Sequence, residues 1–130
     1  MKGFITNIEK DTLENEFYRK VLYTSKNCQL VLMCLNPREE IGEEVHELDQ
    51  FIRIEEGNGA VVLDGVRSEV GKDYAIVIPQ GVRHNVINTG SGKMRLYSLY
   101  SPAEHKDKTI HKTKEDAEAN HEHFDGVLSE

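Results

Sequence analysis

Residues 41–59 read IGEEVHELDQFIRIEEGNG, and the strand running through this stretch decides the fold. From Gln50 to Glu55 the residues alternate: Gln50, Ile52 and Ile54 fall on one face of an extended chain, and Phe51, Arg53 and Glu55 on the other. The charged set belongs with solvent, so Gln50 turns inward with the isoleucines. Its neighbour Asp49 then points away, which argues against Asp49 as a ligand. Upstream, Ile41–His46 reads as a second strand, in which Glu44 and His46 lie two apart and share a face. Downstream, Gly57, Asn58 and Gly59 turn the chain.

The same grammar repeats outward from this stretch. Phe17–Thr24 and Gln29–Leu35 are rich in Val, Leu, Tyr and Met and are separated by a turn at 25–27; residues 36–40 form a loop. Ala60–Leu63 and Val66–Val70 flank Asp64-Gly65, a strong hairpin signal. Ala75–Ile78 and His84–Asn88 flank a turn over 79–81, and Met94–Tyr100 closes the series. Short strands at regular spacing, punctuated by Gly and Pro, predict an all-β barrel or sandwich over 16–102. Residues 1–15 read as a lead-in segment in which Phe4, Ile5 and Ile8 are able to pack. Residues 103–130 form a polar tail in which Thr113 caps a short helix over 114–120, with Glu115 and Asp116 in its first turn. A helix that short needs to dock. The tail carries His105, His111, His121 and His123; the spacing of the last two shares no helix face, so all four are expected at the surface.

Bulk properties narrow the function classes. A chain of 130 residues suits one domain, and 38% hydrophobic with 30% charged residues suits a barrel with one face inward and one outward. A net charge of −7 repels phosphate backbones and anionic lipid, so neither nucleic acid nor membrane is an expected partner. No apolar run approaches the roughly 20 residues that span a bilayer, and the N-terminal residues lack the apolar stretch of a signal peptide, which points to the cytoplasm. Cys28 and Cys34 lie in one strand-like run, about 20 Å apart when extended, so they cannot bridge each other and read as buried free thiols.

His84, Val86 and Asn88 share a face beyond a turn fixed by Pro79 and Gly81, so Glu44, His46, Gln50 and His84 converge on one interior point. At this point the sequence resembles the cupin superfamily, in its small single-domain bacterial form. Pro79, Gly81, His84 and Asn88 match the second cupin motif, P-x-G-x-x-H-x-x-x-N, without a gap. The first motif runs H-x-H, three or four residues, E, six residues, G. Counting back from Gly57 sets Gln50 at its Glu, His46 at its second His and Glu44 at its first. The resemblance covers roughly 16–102 and implies a double-stranded β-helix, or jelly roll, ending in the short helical tail. The motif glycine six residues before the proline is Asp73 here, with Gly71 two residues earlier. At the four positions that bind metal in cupins, His46 and His84 keep the family's residue, Glu44 stands for a His, and Gln50 for the Glu. Two imidazoles, one carboxylate and one amide carry the same charge as three imidazoles and one carboxylate. Such a set suits a divalent first-row metal (Fe, Mn, Ni, Co or Zn) with open positions.

The competing reading is two inward histidines hydrogen-bonded to Glu44 and Gln50 with no metal; four polar groups in a barrel interior are costly to bury without a purpose. Asn88 reads as a strand-end or turn residue. Arg53 and Arg95 are expected to face solvent or a partner. Tyr23, Tyr97 and Met33 lie on strands, where they line the cavity or pack the core. Two functions stay open: a metal-dependent enzyme on a small organic acid, enol or sugar-like substrate (a dioxygenase, isomerase or decarboxylase), or a non-catalytic small-molecule binding or sensory module, with or without metal. A homodimer is expected through the Phe51/Arg53 face and the first strands.

Overall fold

In the computed structural model, which describes residues 2–130, nine strands form two antiparallel sheets. They are β1 (Arg19–Thr24), β2 (Gln29–Leu35), β3 (Asp49–Glu56), β4 (Asn58–Leu63), β5 (Val66–Gly71), β6 (Ala75–Ile78), β7 (His84–Asn88), β8 (Met94–Ser101) and β9 (Ile110–His111). The larger sheet runs β6-β3-β8-β2-β1-β9 and the smaller β5-β4-β7. Among the described residues no helix is long and apolar enough to cross a membrane.

Pairing register turns the alternation of each strand into rows. Val31, Ser98, Ile52 and Ile76 lie side by side on the inner face of the larger sheet; Gln29, Tyr100, Gln50 and Ile78 form the next inward row. Val61 and Val86 of the smaller sheet close over them, and the two inner faces share one hydrophobic core. Full burial of each such aliphatic side chain stabilises by about 1.5–3 kcal/mol. Gly57 lets β3 cross into the smaller sheet. Its φ is +98°, and a Cβ there would sit 2.7 Å from the Lys93 carbonyl oxygen. The turn before β6 makes a similar demand, met without glycine: Asp73 adopts φ 74°, a region Asp tolerates better than most residues, and accepts a hydrogen bond from Arg53 at 3.1 Å.

Several expectations need correction. Ile41–His46 is extended but is not a ladder strand. It meets β7 only at isolated bridges, Glu40 with Ile87 and Glu44 with His84, because Gly42 (φ +106°) breaks the run and spends its N–H on the Asn85 side chain. The lead-in contains a helix, α1 (Ile8–Glu14), capped by the Asn7 side chain. Phe4 stacks on Tyr23, but Ile5 is exposed. Arg95 does not face solvent: the N-terminal segment covers it, and it bonds the Asn15 carbonyl at 3.1 Å and pairs with Glu16 and Glu56. Glu55 is buried, ion-paired with Arg53 at 2.9 Å beside a bulge in the β3–β8 ladder. Both thiols are free, but Cys28 is exposed at the turn before β2. Met33 is core, whereas Tyr97 packs beside Phe51 on the opposite, outward face of the larger sheet.

The tail is folded onto the barrel. Buried Gln29 donates to the His105 carbonyl at 2.7 Å and accepts from the His105 N–H at 3.0 Å; β9 then pairs with β1. Helix α2 (Lys114–Ala119) is capped by Thr113, whose hydroxyl accepts from the Asp116 N–H, and Ala117 packs against the core. His105 and His111 are therefore buried rather than on the surface, while His121 and His123 are exposed. Glu122 ties the tail to itself, accepting from His105 Nδ1 at 2.7 Å and from the Lys106 N–H at 2.7 Å. Burial opposes its charge, but these bonds win and hold the carboxyl down to about 2. The folded value is depressed, so this stabilisation is present above the unfolded pKa of about 4.3 and is lost as pH falls toward 2. Glu122→Gln is expected to cost about 1–3 kcal/mol at pH 7 and to speed hydrogen exchange in 103–123. The difference from wild type should vanish near pH 2; equal exchange at neutral pH would contradict this anchoring.

Candidate metal centre

Glu44 and His84 sit opposite each other, exchanging both backbone hydrogen bonds at 2.9 Å, which sends their side chains to one face. His46 shares that face by alternation, and its carbonyl is fixed by the Gly81 N–H at 2.9 Å. Thus the 79–81 turn positions two histidines at once. One donor atom from each of Glu44, His46 and His84 lies within 4.8 Å of the others. The two imidazoles lie tilted at 52° with 5.1 Å between ring centroids. Gln50, on the inner face of β3, is anchored by a 3.2 Å hydrogen bond from its Nε2 to Ser98 Oγ. Asp49 points outward and caps the Gln80 N–H at 2.9 Å, as its strand parity predicts.

Among the described residues, His46 Nε2 and His84 Nε2 in this cluster and Gln50 Oε1 on the inner face of β3 are buried with no hydrogen-bond partner. The three are on residues no more than 9% exposed. Hydrogen bonding within the cluster, as the metal-free reading requires, does not satisfy them. Each is a lone-pair atom once the tautomers are set. His84 Nδ1 lies 2.9 Å from the Val82 carbonyl oxygen, so it carries the proton and Nε2 is left as an acceptor. Beside His46 the Glu104 carboxylate lies 3.6 Å from Nδ1, beyond hydrogen-bond distance. Burial, reinforced by His84, lowers the His46 pKa to about 4, which keeps the ring neutral. Burial raises Glu44 to about 6 against the pull of Arg19, and its Oε1 is 3.8 Å from His46 Nε2. A cation at this point would restore an ordinary carboxylate. Two imidazoles and one carboxylate grouped this closely are chemically suited to a divalent metal.

Sequence reasoning missed Glu104. It follows the last strand of the barrel in a tail that reads as polar, and it bridges His46 to His123 Nδ1, 3.4 Å from its other oxygen. Only the return of the tail across the barrel brings it here. Asn88 is a turn residue, with its amide bonded to the Leu35 and Gly92 carbonyls at 3.0 and 2.9 Å.

Comparisons with known proteins agree with this architecture. The protein YrkC of Bacillus subtilis (strain 168), itself described as uncharacterized, is 44% identical over 125 residues, covering 91% of this chain and 67% of its own. The crystal structure of BH2720 from Bacillus halodurans superposes with a TM-score of 0.89 at 43% identity, covering 92% of this chain and 96% of that one. KdgF from Halomonas sp. shares the fold alone, with a TM-score of 0.65 at 22% identity over 78% of this chain and 94% of that one. The family described as the Cupin domain matches residues 31–100. With more than half its length matched and the barrel to go with it, the chain belongs to the cupin family.

Proposed function

We propose that this cupin binds one divalent first-row metal through Glu44, His46, Gln50 and His84 and acts as an enzyme on a small organic acid, enol or sugar-like molecule. The observation that carries this reading is the set of orphaned lone-pair atoms on His46, His84 and Gln50, buried where no protein donor reaches them. A buried polar atom without a partner costs roughly 1–3 kcal/mol, and three together are hard to reconcile with a purely structural role. Bound there, the metal supplies Lewis-acid polarisation of an oxygen ligand or redox chemistry with dioxygen. The chain's own residues do the rest. The Val82 carbonyl holds His84 in the ligating tautomer, the Glu104 carboxylate stands 3.6 Å from His46 Nδ1, and Ser98 keeps the amide nitrogen of Gln50 engaged. Half-buried Glu44 stands at the open side, where a substrate would approach.

Elemental analysis of untagged protein purified without chelator is expected to give close to one metal per chain. His46→Ala and His84→Ala should each lose stoichiometric metal; retention of full metal content by both would remove this site. The carboxylate and the amide make a sharper pair. With Glu44 alone, a divalent centre carries +1; a second carboxylate at position 50 brings it to zero. Gln50→Glu is therefore expected to hold metal at least as tightly but to melt lower when metal-free, because two close carboxylates repel. Glu44→Gln should loosen metal by at least about tenfold, the loss that even outer partners of a ligand produce. Unchanged affinity in Glu44→Gln would show that Glu44 is not a ligand.

The outer face of the larger sheet supports a homodimer. Val77, Phe51, Leu99, Leu30 and Tyr23 lie in one register row across β6, β3, β8, β2 and β1, and Val77 is 64% exposed. Sedimentation at micromolar concentration is expected to show a dimer that Phe51→Glu dissociates; a wild-type monomer would contradict this.

A further inference from the structure

Arg19 opens β1 on the same face as Val21, turned toward the barrel interior, and is only 8% exposed. Of the other arginines, Arg53, Arg67, Arg83 and Arg95 each pair with a carboxylate, and Arg38 lies in solvent. Arg19 has neither. Its guanidinium lies over the Tyr18 ring at 5.3 Å; Nη1 meets His111 Nδ1 at 3.1 Å; Nε is buried with no partner among the described residues. The His111 contact requires an unprotonated Nδ1, so it supplies no counter-charge. Glu44, Glu104 and Glu122 feel the guanidinium's field, but none of them forms a direct ion pair with it among the described residues; Glu122 bonds His105 and Lys106, and Glu104 lies beside His46 and His123.

This side chain lines a cavity of about 150 Å³ between the tail and the barrel mouth, whose wall also includes Glu44, Glu104 and His111. Of the candidate centre's residues Glu44 lines this cavity together with Arg19, so the cavity adjoins the centre there. Its volume matches about five waters of liquid, room for a ligand of a few heavy atoms. A desolvated guanidinium with free donors in a fixed fork is built to take a planar carboxylate. We infer that Arg19 anchors the carboxylate of a small anionic ligand lodged between the tail and the barrel mouth, with its other end toward the Glu44/His46 centre. This names the ligand class of the site proposed above and rests on that reading for where the other end lies.

The test is calorimetric titration of the untagged full chain, with metal content measured on the same samples, using acetate and pyruvate against acetamide and pyruvamide. At least one acid is expected to bind at least tenfold more tightly than its amide. Arg19→Gln should lose at least tenfold of the acid's affinity with metal content unchanged, and Arg19→Lys should retain part of it. Wild-type protein that shows no acid-over-amide preference overturns the inference without any variant. So does an Arg19→Gln protein that melts lower yet keeps the preference, which would make Arg19 only a tie between β1 and β9. His46→Ala and His84→Ala proteins that both keep full metal would sink the metal centre instead, and the Arg19-dependent preference would still be read separately.

Discussion

Three lone-pair atoms held inside an apolar barrel without protein partners are the constraint around which this structure is arranged. His46, Gln50 and His84 are buried beside a core that includes Ile52, Ile78 and Val86, and no protein group among the described residues bonds the three atoms. Left so, they oppose folding. The backbone nevertheless fixes them firmly: His84 by a two-way hydrogen-bonded pair with Glu44, His46 through the Gly81 N–H, Gln50 by its place in the β3–β8 ladder. Further contacts lie behind them: the Val82 carbonyl at His84 Nδ1, Ser98 Oγ at Gln50 Nε2, and the Glu104 carboxylate near His46 Nδ1. A cluster placed by accident would relax to satisfy itself, and this one is restrained from doing so.

The tail is part of the same device. Its docking through Gln29, β9 and Glu122 brings Glu104 against His46 and places His111 beside Arg19. Removing it would take the Glu104 carboxylate away from His46 and open the wall of the cavity. The candidate donors thus come from β3, β7 and the extended segment before β3, and the tail closes over them.

How much of this is legible in the sequence follows from which forces are local. Strand alternation is a local property, so the inward faces of β3 and β7, and with them Gln50, His84 and the outward Asp49, follow from period two alone. Gly57 and the 79–81 turn are legible because backbone conformation restricts the residues there; even the departure at Asp73 makes sense, since Asp accepts the φ of 74° that the turn imposes. The errors lie where long-range packing decides. Arg95 looks solvent-facing until the N-terminal segment covers it. His105 and His111 look exposed until the tail crosses the barrel. Glu104 and Arg19 acquire meaning only from contacts across 58 and 92 positions in the chain, with His46 and His111 respectively.

The most direct test of the central claim is anomalous diffraction, recorded at the metal's absorption edge on crystals of protein grown with a divalent first-row metal. The expected result is a single strong peak within bonding distance of His46 Nε2 and His84 Nε2, on the side faced by Glu44 and Gln50 Oε1. Density for the metal at surface residues such as His121 and His123, with the interior cluster empty at full metal loading, would contradict it.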